Sequence, residues 1–236
     1  MAYLSFVDDE EFRKLVDSVL CLGRDAKDDA KNKFDRNTID PFSILWEMAS
    51  FGSTFEEWYQ SELKRQAQKR LANHIGMFHQ KFLGLCVEWH DLGVGKMVDL
   101  VNHDQRIIAE IKNKHNTVTG GKQVDLYNDL HKLVMPNGQA YKDYTAYYVE
   151  IVPRKAERYD IPFTPSDRNT SSRCASNEKI RKIDGASFYA LVTGIDDALE
   201  QVFSVLPSVI HDVAPYIDRS SFYEAFHYFN KAYMNG

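Results

Sequence analysis

The chain has 236 residues, of which 44% are hydrophobic and 27% are charged, and these ordinary globular values exclude wholesale disorder and fibrous repeats. No apolar run approaches the 18 residues of a membrane span, and the N-terminus lacks the pattern of a secretory signal peptide. Three widely separated cysteines argue against a disulfide framework, so we expect a cytoplasmic protein.

The net charge of −5 is unevenly distributed along the chain. The segment from Pro153 to Ile183 contains eight basic and four acidic residues, a net charge of +4. The rest of the chain, with 21 basic and 30 acidic residues, carries −9. An acidic body with one basic segment can bind nucleic acid through that segment. The same residues could equally serve only to keep a surface loop soluble, and charge alone does not decide.

The N-terminal third of the chain predicts helices. Apolar residues recur at helical spacing from Asp8 to Leu22, whereas the charged residues 25–33 predict a solvated extension or a loop. Asp40-Pro41 is typical of a second helix start, and Phe51-Gly52-Ser53 ends that helix. A third helix, capped by Ser53 or Thr54, is expected to reach about Lys81.

The periodicity then changes to that of an α/β core. Three short apolar runs predict strands at Leu83–Val87, Lys96–Val101 and Arg106–Ile111. A helix follows Gly120-Gly121, and Tyr144–Val152 is rich in the residues that favour strands. About thirty residues without a clear period come next, and such a long connection is more often functional than idle. Helices are expected around residues 185–192, 196–209 and 220–232.

Asp99 and Glu110 flank the turn between the second and third predicted strands. In an antiparallel hairpin the numbers of paired residues have a constant sum, and the sum of 99 and 110, 209, centres this turn between Asp104 and Gln105, among the polar turn residues. If no bulge intervenes, the two carboxylates face each other with Cβ atoms roughly 5 Å apart. Lys112 lies two residues after Glu110 and therefore points to the same face of its strand.

Two carboxylates and a lysine on one face are suited to metal-assisted hydrolysis of a phosphodiester. The acids can hold Mg²⁺, and the lysine can orient or deprotonate a water molecule. The alternative is a surface cluster of ion pairs at a sheet edge. Glu62-Leu63-Lys64 has the same Glu-x-Lys spacing but lies in a predicted helix, where residues i and i+2 do not share a face.

Asp99, followed by the sequence EIKNKHNT from Glu110 to Thr117, resembles the active-site motif of the PD-(D/E)xK nucleases. More closely, the chain resembles type II restriction endonucleases that cut GGNCC-like sites. The segments 73–76 (NHIG), 78–80 (FHQ), 188–189 (FY) and 192–194 (VTG) share this resemblance, which covers roughly residues 50–210. The chain departs from the motif at one position, since Val98 rather than proline precedes Asp99.

The resemblance implies an α/β fold with a PD-(D/E)xK nuclease core, in which helices flank a mixed central β-sheet, with additional N- and C-terminal helices. It implies that Asp99 and Glu110 are metal ligands for Mg²⁺ and that Lys112 is the catalytic lysine. It also implies an acid on the preceding long helix, for which Glu57 and Glu62 are the candidates. We expect one nuclease domain over residues 1–236, divided into an N-terminal helical part (1–52), a catalytic core (53–152), a candidate DNA-recognition segment (153–183) and C-terminal helices (184–236).

The expected partners are double-stranded DNA, a second copy of the chain in a homodimer, and a cognate DNA methyltransferase that belongs to the same restriction-modification system without binding the enzyme. No membrane partner is expected. The residues expected to contact DNA follow the catalytic strand or lie in the basic segment, and they are Asn113, Lys114, His115, Asn116, Arg154, Lys155, Arg168, Asn169 and Arg173.

These observations predict a Mg²⁺-dependent type II restriction endonuclease. Two alternatives remain open from the sequence. One is a repair or structure-selective nuclease of the same superfamily, and the other is a non-catalytic α/β protein that binds nucleic acid.

Overall fold

Helices enclose a central β-sheet in the computed structural model, which describes residues 2–167, 171–216 and 222–234. Its α-helices within those ranges are α1 (Asp9–Asn32), α2 (Pro41–Phe51), α3 (Phe55–Leu83), α4 (Gly120–Val134), α5 (Gly185–Thr193), α6 (Ala198–Val213) and α7 (Tyr223–Tyr233). The strands are β1 (Trp89–Asp91), β2 (Leu100–Asn102), β3 (Ile107–Lys114), β4 (Thr145–Val152), β5 (Asp160–Pro162), β6 (Ser166–Asp167), β7 (Ser172–Arg173) and β8 (Ile180–Asp184). The expected α/β class, with helices flanking the sheet, is confirmed.

The main sheet is mixed and has the strand order β1-β2-β3-β4-β8-β5. Its centre is parallel, because β3 pairs with β4 and β4 pairs with β8 in the same direction. The outer strands β1, β2 and β5 run antiparallel to their neighbours. Strands β6 and β7 form a separate two-stranded ribbon.

Hydrophobic side chains fill both faces of the sheet. On one face, residues such as Leu100, Ala109 and Val149 pack with α1, α3, α5 and α6. On the other face, residues such as Ile108 and Tyr148 pack with α4. The central strand β4 is therefore covered on both sides, which explains why its sequence is almost continuously apolar.

The predicted helix starts at Asp40 and Thr54 are confirmed. The Asp40 carboxylate accepts a hydrogen bond from the amide of Phe42, and Thr54 and Glu57 form a capping box at the start of α3. Of the two alternatives for residues 25–33, the loop is wrong, since α1 extends to Asn32 with most of these residues exposed. The buried residues in this last part of α1 are Ala26 and Ala30. Their side chains are too small to produce a recognisable apolar periodicity among so many charged residues.

Two predicted strands are misplaced. Leu83–Val87 is not a strand, because α3 runs on to Leu83, whose side chain is fully buried, and the chain then turns before β1. The apolar run belongs to the packed end of a helix rather than to a sheet. The strand expected at Lys96–Val101 forms only from Leu100, because Lys96 and Met97 are exposed.

The unstructured connection expected after β4 also needs correction, since it contains β5, the β6–β7 ribbon and β8. The last of these is a central strand whose Ile180 and Ile183 are buried, while Arg181 and Lys182 interrupt its apolar pattern. The helix α5 starts immediately after it at Gly185. A Cβ there would lie 2.7 Å from the Cα of Ile151, so only glycine allows this close approach to β4.

The three C-terminal helices are confirmed in their order, with α7 beginning at Tyr223. Residues 220 and 221, where the sequence predicted the last helix to begin, lie outside the described residues. Among the described helices, none has the length and apolar character needed to cross a membrane.

Candidate active site

The hairpin of β2 and β3 pairs in the register that the sequence predicted, with Asp99 just before β2 and with Glu110 and Lys112 on β3. Leu100 pairs with Ala109 and Asn102 pairs with Ile107, so the residue numbers add up to 209 in both pairs. The side-chain oxygen of Asn102 accepts a hydrogen bond of 2.8 Å from the amide of Gln105 and closes the turn.

The regular pairing ends at Leu100, the residue after Asp99, and a bulge at Asp99 means that Asp99 and Glu110 are not the directly opposed pair of an unbulged hairpin. The Asp99 amide donates to the carbonyl of Ala109, although Leu100 is the registered partner of Ala109. Val98, which strict alternation along a strand would place on the same face as Leu100, consequently lies on the opposite face beside Ile108. The Asp99 carboxylate is held in place because it accepts a hydrogen bond of 2.7 Å from the backbone amide of Ile111.

Glu110 and Lys112 are joined directly, and Asp99 lies close to both. The ammonium group of Lys112 is 2.5 Å from a carboxylate oxygen of Glu110. The Lys112 side chain is 29% exposed and the Glu110 side chain is 14% exposed, so the pair lies at the boundary between the core and solvent. The structure therefore brings Asp99, Glu110 and Lys112 together, as the spacing predicted.

Burial and mutual repulsion make the two carboxylates unfavourable as anions. Burial raises the pKa of Glu110 to about 6, and the charge of Asp99 adds to this effect, while Lys112 opposes it. Burial also raises the pKa of Asp99, and the amide of Ile111 and the charge of Lys112 oppose that shift. Because one lysine faces two carboxylates, the site has room for a further positive charge.

The site opens into a cleft of about 470 Å³ between β3 and the second half of α3. Asp99 and Lys112 line one side of this cleft, and Asn73, Gly76 and Gln80 line the other. These three helix residues are spaced by three and four positions and therefore share one face of α3. Gly76 faces Asn113 across the cleft, and a Cβ at Gly76 would lie 3.8 Å from that side chain.

A third acid lies on the neighbouring strand. Asp91 accepts hydrogen bonds from the Gln80 side chain at 2.6 Å and from the Gly93 amide at 2.8 Å. Its negative charge also contributes to the raised pKa of Asp99. Helix α3 thus contributes amides to the site rather than a carboxylate.

Comparison with known proteins matches this chain, over residues 4–215, to the family model described as Eco47II restriction endonuclease. The chain belongs to the Eco47II restriction endonuclease family. It is 50% identical over 210 residues to the type II restriction enzyme Eco47II of Escherichia coli, and the aligned region covers 89% of this chain and 87% of that protein. It is 31% identical over 214 residues to the type II restriction enzyme Sau96I of Staphylococcus aureus, covering 89% and 80%. No solved structure matches.

The resemblance to type II restriction endonucleases is thereby confirmed, and this Eco47II-family chain is an endonuclease of the type II restriction class. Membership of this family favours restriction over the repair nuclease and the non-catalytic binding protein.

The helix acid expected from the resemblance is absent from the described cleft of this Eco47II-family chain. Glu57 is used in the capping box of α3. Glu62 is buried against Arg65 and Gln66, and it lines a different cavity near the start of α3. Since Glu62 precedes Gly76 by 14 residues, it lies about 20 Å away along the helix axis.

A polar row continues from the candidate site onto the neighbouring strands, and sequence reasoning missed it. Glu150 on β4 is the registered neighbour of Lys112 and is only 2% exposed. Its carboxylate accepts a hydrogen bond of 2.7 Å from the Tyr159 hydroxyl, and its other oxygen lies 2.9 Å from the ammonium group of Lys182. A single acid within the otherwise apolar strand YTAYYVEIV is the signal that could have revealed this row.

The residues predicted to contact DNA fall into separate groups in the Eco47II-family chain. Asn113 to Asn116 complete β3 and its turn at the cleft. Arg154 and Lys155 are exposed just after β4, at the same end of the sheet, because Lys114 pairs with Val152. Arg173 lies on the ribbon strand β7 and lines another cavity beside α4. Arg168 and Asn169 lie outside the described residues.

Much of the positive charge of the basic segment is paired within the fold. Lys182 faces Glu150, and the other paired residues are Lys155 with Glu157, Arg158 with Asp196, Lys179 with Asp143, and Arg181 with Asp160 and Glu178. The net charge of this segment therefore overstates the number of cations that are free to bind a phosphate backbone.

Proposed function

We propose that this chain is a Mg²⁺-dependent type II restriction endonuclease that hydrolyses both strands of DNA at a short GC-rich palindrome of the GGNCC type. The observation that carries the proposal is the pair of half-buried carboxylates, Asp99 and Glu110, at the edge of an open cleft, with Lys112 in contact with Glu110. The names of the relatives support DNA restriction as the task.

The donor set fits a divalent cation. Asp99 and Glu110 offer carboxylate oxygens, which are the ligands that Mg²⁺ prefers, and burial makes both unfavourable as anions in the absence of a cation. No group of three or more Asp, Glu, His or Cys side chains is arranged for a metal within residues 2–167, 171–216 and 222–234. Mg²⁺ commonly binds one or two carboxylates and takes its other ligands from water and substrate phosphate, so two acids suffice.

A bound Mg²⁺ would neutralise the scissile phosphate and lower the pKa of a coordinated water molecule. Asp99 is prepared as a ligand because the Ile111 amide fixes its carboxylate. Lys112 is an ammonium donor held beside Glu110, and in this position it can orient the attacking water towards the phosphate. Gln80, which hydrogen-bonds Asp91, keeps the helix side of the cleft polar.

DNA would enter across the ends of β3 and β4, where the exposed residues Lys114, Asn116, Arg154 and Lys155 lie. Lysine and arginine at this edge would hold phosphates, and Asn113 lines the cleft beside Lys114. Arg168, Asn169 and Arg173 in the segment after β5 are proposed to read bases, since arginine to guanine is the commonest specific contact in the major groove.

A palindromic duplex presents two equivalent scissile phosphates, so the proposed active form is a homodimer with one site for each strand. A methyltransferase that protects the same sequence would complete the restriction-modification system as a functional partner rather than as a bound one.

Digestion of a plasmid of known sequence tests this function. With Mg²⁺ the protein should produce discrete fragments whose ends map to one palindrome, and with a chelator the plasmid should stay intact. The variant Asp99→Asn, which keeps the side-chain shape, serves as the matched inactive control. A smear, or nicking that follows DNA structure rather than sequence, would instead support a repair nuclease, and intact DNA in Mg²⁺ would contradict the proposal.

A further inference from the structure

Helix α2 presents its apolar side to solvent. The helix has no buried residue, and Phe42, Leu45 and Trp46 are 71%, 67% and 72% exposed. Together with the exposed Ala49 they follow the spacing i, i+3, i+4 and i+7, which forms a single stripe along one helix face. A surface helix normally turns such a stripe towards the core, so this orientation requires an explanation.

The orientation of α2 is fixed by contacts on its other side. Asp40 caps the first turn, and Gly52 ends the helix in a left-handed conformation with φ of 63°. Glu47, which lies about 140° around the helix from Phe42, accepts a hydrogen bond of 3.1 Å from the indole of Trp58 on α3. The stripe of Phe42, Leu45, Trp46 and Ala49, called here the α2 stripe, consequently points away from the protein.

The area of the α2 stripe matches what the core of a dimer interface requires. Large apolar side chains bury roughly 150–250 Å² each, so three that are mainly exposed offer on the order of 400 Å². A standard interface buries about 800 Å² per partner, of which about 56–65% is apolar. The stripe could therefore supply most of the apolar contact on one side of such an interface.

The charge of α2 is equally suited to contact with a copy of itself. The segment PFSILWEMASF contains no lysine or arginine, and its only acid, Glu47, is engaged with Trp58 on the far side. Two stripes can therefore meet around a twofold axis without repulsion between like charges, and such self-complementary contacts are typical of homodimers. Interface cores are depleted of charge and enriched in aromatic residues, as this helix is.

We propose that the α2 stripe packs against the same stripe of a second copy and forms the homodimer interface. This inference rests on the proposed function, which needs two active sites for one duplex. Helix α2 lies beside the start of α3, whereas the cleft begins at Asn73, about four turns beyond Trp58. An interface at α2 thus leaves both clefts open to DNA.

Sedimentation analysis without DNA or metal tests the interface. The wild-type protein should sediment with twice the mass of one chain at micromolar concentration. The double variant Leu45→Glu/Trp46→Glu should raise the dimer dissociation constant at least about a hundredfold, because buried apolar anchors dominate such interfaces. The control Val87→Glu changes a side chain that is 81% exposed elsewhere on the surface and should remain dimeric. A monomeric wild type, or a double variant that dimerises as tightly as the wild type, would overturn the proposal.

A second variant tests the interface without requiring that the double variant Leu45→Glu/Trp46→Glu folds. Ala49→Cys should give a covalent dimer with a short bismaleimide cross-linker, whereas Val87→Cys and the wild type should not. Failure of Ala49→Cys to cross-link would also reject the stripe as the interface. Neither measurement involves cleavage, so discrete DNA fragments together with unaltered dimerisation of the charged variant would reject the interface and leave the nuclease function standing.

Discussion

At the residue scale, the ionisation of Glu110 is opposed both by burial and by the charge of a second acid. Its pKa is raised to about 6 by burial and by Asp99, and only the contact with Lys112 works in the other direction. The free protein therefore keeps an unfavourable charge at the position where the proposed cation would bind.

The raised pKa of Glu110 predicts a pH dependence of stability in the presence of a chelator. Between pH 4.5 and about 6 the folded protein retains a proton that the unfolded chain releases, so the free energy of unfolding falls as pH rises through this window. The expected decrease is up to about 2 kcal/mol. Urea unfolding of Glu110→Gln at several pH values should lack this decrease.

The comparison of variant with wild type isolates Glu110, because other groups contribute equally to both proteins. Burial lowers the pKa of His79 to about 4, for example, and this favours the fold more as pH rises towards 6.5. An identical slope in Glu110→Gln and wild type would show that the Glu110 carboxyl does not have the raised pKa.

Single substitutions should distinguish the proposed catalytic residues from the helical segment that has the same Glu-x-Lys spacing. Asp99→Ala, Glu110→Ala and Lys112→Ala should each reduce cleavage by several orders of magnitude, because each removes a metal ligand or the water-orienting ammonium group. Their circular dichroism should remain that of the wild type. Lys64→Ala, in the helical Glu62-Leu63-Lys64, should cut normally, and full activity in any of the first three variants would remove that residue from the site.

At the element scale, the sequence predicted the features that depend on neighbouring residues better than those that depend on tertiary contacts. The caps Asp40 and Thr54 and the 209 register of the hairpin depend on neighbouring residues and are confirmed. The bulge at Asp99 is accompanied by hydrogen bonds to Ala109 and Ile111 on the neighbouring strand, and the sequence of one strand alone does not encode it. Strand β8 was missed because Arg181 and Lys182 interrupt its apolar pattern, and the partner of Lys182, Glu150, lies on another strand.

The candidate site was predictable to the same extent. Asp99, Glu110 and Lys112 lie on consecutive strands, so spacing and face were enough to group them. Glu150 and Gln80 come from elements distant in sequence, and their positions depend on how β4 and α3 pack.

The close packing of α5 on β4 predicts a strong effect at Gly185. Alanine there would meet the Ile151 backbone, which cannot move without disturbing the central strand, so Gly185→Ala should destabilise the protein by roughly 1–3 kcal/mol. Gly121→Ala is the matched control, because no atom lies within 4 Å and alanine favours the helix. Chemical denaturation checks both, and equal stability of the two variants would contradict the packing argument.

The segment between β5 and β8 and the end of β4 should have separable roles in DNA binding. Arg173→Ala should cost about 1–3 kcal/mol and relax the preference at one base position. Lys155→Ala should weaken binding to all sequences alike and reduce the salt dependence. Lys14→Ala, whose side chain pairs with Glu10 and Glu11 on α1, is the control. Unchanged affinity and cleavage pattern in both test variants would place recognition elsewhere, with residues 113–122 as the next candidate.

At the scale of the whole molecule, a chain with a net charge of −5 must approach a polyanion. The two carboxylates of the cleft would repel the scissile phosphate in particular. Binding therefore depends on what neutralises this cleft as well as on the exposed cations at the end of the sheet.

Calcium should consequently support specific binding without cleavage. Ca²⁺ accepts carboxylate oxygens, so it should neutralise Asp99 and Glu110, but its looser coordination makes it a poorer activator of water than Mg²⁺. Gel-shift titrations with a cognate duplex should show tighter binding in Ca²⁺ than in chelator. The variant Glu110→Gln should reduce this difference, and equal affinities of the wild type in both buffers would argue against a cation between protein and DNA.

The mixed sheet also has a consequence for the order in which the chain folds. The antiparallel strands β2 and β3 are joined by a short turn, so Asp99 and Glu110 can meet through a local hairpin. Glu150 and Lys182 come together only when β8 pairs in parallel with β4 across a long loop, which closes more slowly. During synthesis and refolding, we therefore expect the acidic pair to form early and its basic surroundings on β8 to be added late.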